Sequence, residues 1–224
     1  MEIGFPYSDP IADGPVIQAS YTRALERGVH VEDIFAAVRH FAVPATPLAA
    51  MVSYSLIHRR GPATFLERAM ASGFSGAIVP DLPFEESEAL SRLAAERDFK
   101  LIHLVTPTTP RERARAIARR STGFLYCVSV AGITGERDRL PPELLEQLAW
   151  LRGQTDLPLC VGFGISRPEH VRTLREVADG VIVGSAFVRH LEKAGSQSLD
   201  AIAAAIGDLA QELSEALNPG EPSA

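Results

Sequence analysis

Two acidic residues near the start of the chain, Glu2 and Asp13, have the residue type and the setting of an acid–base pair. Glu2 lies in a strand pattern over 2–5, where alternation directs its side chain away from the two apolar residues. Asp13 follows in a loop stiffened by Pro10 and Pro15. Burial of a carboxyl group is costly and shifts its pKa, and proteins use such shifted groups to move protons. Glu2 and Asp13 are therefore candidate catalytic residues.

A structural role for the same residues stays open at this point. An aspartate in a Pro/Gly loop commonly shapes a turn or caps the next helix. An acidic residue near a chain start is commonly solvated. The rest of the sequence has to decide between the two interpretations.

Glycines at the ends of two late strand patterns predict a phosphate site. Gly162 and Gly164 follow one apolar run, and Gly184 with Ser185 follows the next and opens a short helix. Glycines let the backbone approach a ligand, and free N–H groups at a helix start bind a dianion. Gly135, in the preceding loop, supplies a possible third backbone donor. The alternative is that these glycines only shape tight turns. A Rossmann dinucleotide site is disfavoured, because its fingerprint follows the first strand.

Short apolar runs alternate with helical patterns along the whole chain, which predicts a parallel sheet covered by helices. A doubly wound sheet and a TIM barrel both fit this α/β pattern. About seven strands are counted, where a closed barrel has eight. The predicted strands cover 2–5, 48–54, 76–82, 100–105, 123–129, 157–163 and 180–183.

Length and composition predict one domain rather than two. The chain has 224 residues, of which 46% are hydrophobic, and no linker-like segment interrupts it. We predict a single domain over 1–217 and a disordered tail over 218–224. The net charge of −6 and the lack of a basic patch make nucleic acid and anionic membranes poor partners.

The sequence gives no sign of a metal centre, a disulfide framework or a membrane anchor. Cys127 and Cys160 each lie in an apolar run and are predicted to be free thiols. The six histidines are scattered and no CxxC motif occurs. No apolar run is long enough to cross a bilayer, and no secretory signal opens the chain. A cytoplasmic location is expected.

The segment 2–15 closely resembles the signature of the tryptophan synthase alpha chain family. The resemblance runs through essentially the whole chain in the same order. It includes the segments 79–86, 106–110, 129–135, 162–166 and 184–185.

This resemblance implies a TIM (β/α)8 barrel and a lyase of tryptophan biosynthesis. Such an enzyme cleaves indole-3-glycerol phosphate to indole and glyceraldehyde 3-phosphate in a retro-aldol reaction. It also implies that Glu2 is the main acid–base catalyst and that Asp13 handles the indole nitrogen. The positions implied to bind the substrate and its phosphate are Tyr126, Thr134, Gly135, Gly162, Phe163, Gly164, Gly184 and Ser185.

The resemblance further implies a partner and places the cofactor there. The family's beta chain uses pyridoxal phosphate to join indole with serine, inside an αββα complex. No cofactor is therefore expected in this chain.

The sequence departs from the family before Glu2, where the family has a helix, the first strand and the helix after it. We expect a barrel that lacks its first strand and helix, and a polypeptide that is poorly soluble, oligomeric or inactive. One alternative is a catalytically weak alpha-like chain that serves as a structural or allosteric partner of a beta chain. Another is a TIM-barrel enzyme for a different phosphorylated substrate.

Overall fold

A computed structural model of the chain describes residues 1–11, 13–40, 46–129 and 140–220. These residues form eight strands and ten helices in alternation. The strands are β1 (Glu2–Gly4), β2 (Leu48–Met51), β3 (Phe74–Ile78), β4 (Lys100–Ile102), β5 (Leu104–Val105), β6 (Leu125–Val128), β7 (Leu159–Gly162) and β8 (Gly180–Val181). The helices are α1 (Pro15–Glu26), α2 (Val31–Arg39), α3 (Tyr54–Arg60), α4 (Pro62–Ala71), α5 (Glu88–Ala95), α6 (Arg111–Arg120), α7 (Pro142–Arg152), α8 (Pro168–Leu174), α9 (Ser185–Leu191) and α10 (Leu199–Leu217).

The strands form two four-stranded sheets, in the orders β1-β2-β3-β4 and β5-β6-β7-β8. The described pairings are parallel, as the alternation of strands and helices predicts. All seven predicted strand segments are present, and one of them is divided at His103. The His103 N–H donates to Ser121 Oγ at 3.0 Å, so a side chain replaces the neighbouring strand at this point.

The chain forms two compact units. Unit 1 comprises 1–13, 18–104 and 116–125, and unit 2 comprises 14–17, 105–115 and 126–224, within the described ranges.

Four phenylalanines form the centre of the unit 1 core. Phe5, Phe35, Phe65 and Phe74 are at most 3% exposed. The ring of Phe5 lies 5.6 to 6.0 Å, centroid to centroid, from the other three. Tilted and edge-to-face pairs at this spacing add to the free energy gained by burial. The cluster also helps to fix the end of β1. Phe5 directly follows this strand and donates its N–H to the Met51 carbonyl at 2.9 Å.

The core of unit 2 is built mainly from leucines at helical and strand spacing. Leu144, Leu148 and Leu151 on α7 are fully buried, as their i, i+4 and i+7 spacing predicts. Leu159 on β7 and Leu174 on α8 are buried with equal completeness. The Leu159 N–H donates to Asp179 Oδ2 at 2.7 Å, and Arg152 donates to the same oxygen at 2.6 Å. These bonds connect the start of β7 to the end of α7.

Several strand boundaries differ from the sequence-based expectation, most clearly at the end of β2. The predicted strand over 48–54 ends at Met51, because Ser53 caps α3, which begins at Tyr54. Helix α8 begins at Pro168, with Arg167 at the cap position. Proline fixes a helical φ at its own position and disfavours the helical conformation in the residue before it.

Residues 221–224 of the predicted tail lie outside the described ranges. No helix within those ranges is both long enough and apolar enough to cross a bilayer. The same part of the chain contains no group of three or more potential metal ligands.

Candidate active site

Glu2 leaves β1 on the face opposite the phenylalanine core. Phe5 is 1% exposed and Ile3 packs against the same core, so alternation directs the Glu2 side chain the other way. Its Oε1 atom is buried and has no hydrogen-bond partner among the described residues. This burial raises the pKa of Glu2 to about 7, although the α-amino group of the chain opposes part of the rise.

Asp13 is held through its main chain by helix α1. Gln18 Nε2 donates to the Asp13 carbonyl at 2.8 Å and to the Pro10 carbonyl at 3.3 Å. The Asp13 carboxylate receives no hydrogen bond from any described residue. Burial raises the pKa of Asp13 to about 6, and the negative charge of Asp81 adds to the rise.

Asp81, which follows β3, is anchored at the start of α3. Its Oδ2 accepts the hydroxyl of Ser53 at 2.6 Å, and its Oδ1 accepts the N–H of Tyr54 at 2.8 Å. The carboxylate therefore caps a helix and presents its charge to Asp13 from a fixed position.

A pocket in unit 1 contains two of these three carboxyl groups, Asp13 and Asp81. Its polar wall includes Asp13, Asp81 and the hydroxyl-bearing Tyr21, and its apolar wall includes Phe5 and Met51. Glu2 is not among the residues that line this pocket. The charges of Asp13 and Glu2 nevertheless both act on Tyr21, and with burial they raise its pKa. The pocket thus combines an apolar surface for a ring with the Asp13 carboxyl, whose pKa is raised toward neutrality.

The Glu2 pKa predicts that this carboxyl destabilises the folded protein at high pH. A carboxyl whose pKa rises on folding binds more protons in the folded than in the unfolded state between the two pKa values, so stability falls as pH rises there. That interval runs from 4.5 to about 7. We expect Glu2→Gln to raise the free energy of unfolding by about 3 kcal/mol at pH 8 and by almost nothing at pH 4. Urea unfolding at both pH values measures this difference, and an equal change at both would contradict the assignment.

The predicted phosphate turn after β7 has a tightly specified backbone in unit 2. An ideal Cβ atom on Gly162 would lie 2.1 Å from the hydroxyl oxygen of Tyr126 and 2.5 Å from its ring carbon Cζ. The Tyr126 ring also contacts Phe163, edge to face, with centroids 5.9 Å apart. Gly162 is therefore required because the Tyr126 ring occupies the space of a side chain.

Phe163 and Gly164 both have left-handed backbone conformations, with φ of +68° and +74°. For a non-glycine residue this conformation is strained, and such strain clusters at ligand sites. The Ser129 hydroxyl donates to the Phe163 carbonyl, and the Ser129 N–H donates to the Gly162 carbonyl at 2.9 Å. These two bonds hold the turn in its strained form.

Gly184 and Ser185 lie where the sequence predicts a helix start. Gly184 is the cap position of α9, and Ser185 is its first residue. The first N–H groups of a helix have no partner within the helix. A substituent on Gly184 would contact nothing within 4 Å, so packing does not demand glycine here.

Gly162→Ala and Gly184→Ala form a matched pair for testing the turn. We expect Gly162→Ala to lower the free energy of unfolding by about 1–3 kcal/mol, because the added methyl group displaces the buried Tyr126 ring. Gly184→Ala should change it by less than about 0.5 kcal/mol. Chemical denaturation of the two variants measures the difference. Equal stabilities would mean that Tyr126 does not fill the space above Gly162.

Two predicted substrate residues, Thr134 and Gly135, lie outside the described ranges. The structure also identifies two pocket residues that the sequence analysis missed. Tyr21 is one, because nothing in a helical segment marks a tyrosine for a pocket. Asp81 is the other, and its place after a strand in a Pro-Asp pair was a usable signal.

Comparison with known proteins identifies relatives over nearly the whole chain. The family model described as "Tryptophan synthase alpha chain" matches residues 1–218. A tryptophan synthase alpha chain from Rhodopirellula baltica is 51% identical over 228 aligned positions, which cover 97% of this chain and 82% of the relative.

Solved structures of related proteins match this chain in both fold and sequence. Tryptophan synthase subunit alpha from Legionella pneumophila matches with a TM-score of 0.86 and 37% identity, covering 97% of this chain and 80% of that one. A structure from a study of mutual activation of the tryptophan synthase α2β2 complex of Pyrococcus furiosus matches with a TM-score of 0.85 and 38% identity. It covers 95% of this chain and 85% of that one. The predicted α/β TIM-barrel class is confirmed by this likeness. The chain belongs to the tryptophan synthase alpha chain family, whose members are lyase subunits of tryptophan biosynthesis.

Proposed function

We propose that this chain cleaves indole-3-glycerol phosphate to indole and glyceraldehyde 3-phosphate, with Glu2 as acid–base catalyst and Asp13 as the partner of the indole nitrogen. The observation that carries the proposal is the pair of carboxyl groups with raised pKa, about 7 for Glu2 and about 6 for Asp13. Environments that separate the pKa values of two carboxyls commonly assign them different roles. Near pH 7 about half of Glu2 carries a proton, whereas most of Asp13 is ionised.

The two protonation states fit the two needs of the reaction. Breaking the carbon–carbon bond at indole C3 requires a proton on C3, which leaves positive charge on the ring nitrogen. The ionised Asp13 accepts the N–H hydrogen bond and stabilises that charge. The electron pair of the broken bond returns to the ring and regenerates the aromatic indole.

Glu2 moves both protons and returns to its starting state. It first donates its proton to C3, and the resulting carboxylate then accepts the proton of the side-chain hydroxyl as the aldehyde forms. Because the proton lost in the first step is regained in the second, no external acid or base is consumed.

The phosphate of the proposed substrate would be bound by main-chain N–H groups, and candidates for these donors lie in unit 2. The strained turn at 162–164 and the free N–H groups at the start of α9 are typical of phosphate sites in TIM barrels. We propose Gly162, Phe163, Gly164, Gly184 and Ser185 as phosphate ligands, and Tyr126 as a residue that contacts the substrate. The family resemblance adds Thr134 and Gly135.

We further propose that the chain acts as a single domain over 1–217 in the cytoplasm, paired with a tryptophan synthase beta chain. The Pyrococcus furiosus relative comes from an α2β2 complex with mutual activation. In this arrangement pyridoxal phosphate belongs to the beta chain and supplies the chemistry that joins indole to serine there.

An indole-release assay tests the proposal. The purified chain is incubated with indole-3-glycerol phosphate, with and without a beta chain, and free indole is measured. The two carboxyl groups with raised pKa lead us to expect release by the chain alone and a higher rate with the beta chain, in contrast to the inactive polypeptide expected from the sequence. No release in either case, together with stimulation of the beta reaction, would favour a purely structural or allosteric partner. A chain that neither releases indole nor affects a beta chain would contradict the proposed function.

A further inference from the structure

Helix α1 presents two polar residues to the loop that carries Asp13. Gln18 and Tyr21 are three positions apart, so they lie on the same face of the helix. Gln18 holds the main chain of that loop through its two hydrogen bonds to Pro10 and Asp13. Tyr21, one turn further along, lines the pocket that the Asp13 side chain also lines.

The Tyr21 hydroxyl lies where a side chain on Gly4 would be. An ideal Cβ on Gly4 would be 2.9 Å from this oxygen and 3.3 Å from the nearest ring carbon. Residues 2 and 4 of a strand project from the same face, roughly 7 Å apart. The hydroxyl therefore occupies the face of β1 from which the Glu2 side chain leaves.

The pocket contains a hydroxyl and a carboxylate that have no hydrogen-bond partner among the described residues. The Tyr21 hydroxyl makes no hydrogen bond to any described residue, and no described residue donates to the Asp13 carboxylate. The other two carboxylates that line the pocket already accept hydrogen bonds: Asp81 accepts from Ser53 and Tyr54, and Asp9 accepts the neighbouring Ser8 hydroxyl at 2.6 Å.

Tyr21 remains a neutral donor in this setting. Burial raises its pKa, and the charges of Asp13 and then Glu2 raise it further. Besides Tyr21 from α1, the titratable groups that line the pocket with Asp13 are Asp81 from the end of β3, and Tyr7 and Asp9 from its own loop, while Glu2 from β1 acts on Tyr21 through its charge. Of the pocket residues among them, Tyr21 and Tyr7 carry phenol hydroxyls that can donate to the ionised Asp13 carboxylate, and Tyr7 already donates to Ser55 at 3.2 Å.

We propose that Tyr21 is a positioning residue for Asp13, whose carboxylate accepts the Tyr21 hydroxyl in the substrate complex and is thereby oriented toward the indole N–H. The inference rests on the proposed function. A hydrogen bond to the charged form of a carboxyl favours that form. Tyr21 therefore also keeps Asp13 ionised at lower pH than burial alone would allow.

The test uses indole-3-propanol phosphate, which lacks the hydroxyl that becomes the aldehyde and so cannot be cleaved, together with its N-methyl derivative. Calorimetric titration from pH 5 to 8.5 gives the affinity of each. We expect the parent chain to prefer the N–H compound by about tenfold or more above pH 7, because the methyl group removes the donor to Asp13. The preference should disappear only below pH 6, because the Tyr21 hydrogen bond keeps the pKa of Asp13 below the value of about 6 that burial and Asp81 set without that bond.

Tyr21→Phe removes only the hydroxyl. We expect it to reduce the N–H preference to within about threefold at pH 7 and to move the pH at which the preference disappears upward by about one unit. Tyr54→Phe, which removes a hydroxyl outside the pocket, is the matched control and should behave as the parent. Full retention of the preference by Tyr21→Phe would overturn the inference alone. Failure of the parent chain to bind either compound would instead overturn the proposed function.

Gly4→Ala provides a second test that keeps the tyrosine. The added methyl group displaces the hydroxyl, so Gly4→Ala should also reduce the N–H preference. In the Tyr21→Phe background the same change should have a smaller effect, because the atom it displaces is gone. Equal effects in both backgrounds would show that Gly4→Ala does not act through Tyr21, and would count against the inference.

Discussion

Glu2→Gln should abolish nearly all indole release while leaving substrate binding almost intact. The amide keeps the size of the side chain but neither donates a proton to C3 nor accepts one from the substrate hydroxyl. The loss of one general acid–base group typically lowers the rate by about 10²–10⁴-fold. The measurement is kcat from the indole-release assay, with indole-3-propanol phosphate as the binding probe.

The control is Glu212→Gln on α10, where the same change is made at an exposed position. It should release indole at the parental rate. If Glu2→Gln itself released indole at a rate close to that of the parent, Glu2 would have no part in proton transfer. If binding and turnover fell together, its role would be structural.

Asp13→Asn should lower turnover by about 10²–10³-fold, the range found when a group that stabilises transition-state charge is removed. The asparagine oxygen still accepts the indole N–H, but it carries no negative charge to balance the cation that forms at the nitrogen. The loss should appear mainly in kcat, because the charge develops only in the transition state.

Asp208→Asn on α10 is the corresponding control at an exposed position. A loss confined to KM in Asp13→Asn would mean that Asp13 contributes only to ground-state binding. In that case another group would have to stabilise the ring cation, and Asp81 is the charged neighbour to examine next.

Local sequence patterns predicted the helices and strands whose buried face follows from the spacing of their own apolar residues. The spacing of Leu144, Leu148 and Leu151 is sufficient to predict α7, and the alternation in 2–5 is sufficient to predict the face of Phe5. Helix α3 was missed because only part of its start is local: Ser53 caps it, and a distant residue holds it as well. The Tyr54 N–H is capped by Asp81, which follows a different strand. Such a contact between elements has no local sequence signal.

The candidate site likewise contains residues that the sequence could point to and residues that it could not. Glu2 and Asp13 were predictable because a carboxyl in an apolar strand and one in a proline-rich loop are unusual in themselves. The strain at Phe163 was not predictable, since it arises from the contacts of that residue with Ser129 and Tyr126. Tyr21 was missed for a similar reason, because its hydroxyl is placed by the absence of a side chain on Gly4.

The position of β1 against β2, with Glu2 beside Ala49 and Gly4 beside Met51, determines more than strand pairing. A shift by one residue would turn Phe5 out of the aromatic cluster and force the Glu2 carboxyl into it. Such a misaligned chain would lose its most densely packed contacts and bury a charge among hydrocarbon rings. Any molecule that has completed its hydrophobic core has therefore also directed Glu2, the proposed general acid, to the opposite face of β1, so misfolded forms with a correctly placed Glu2 should not accumulate.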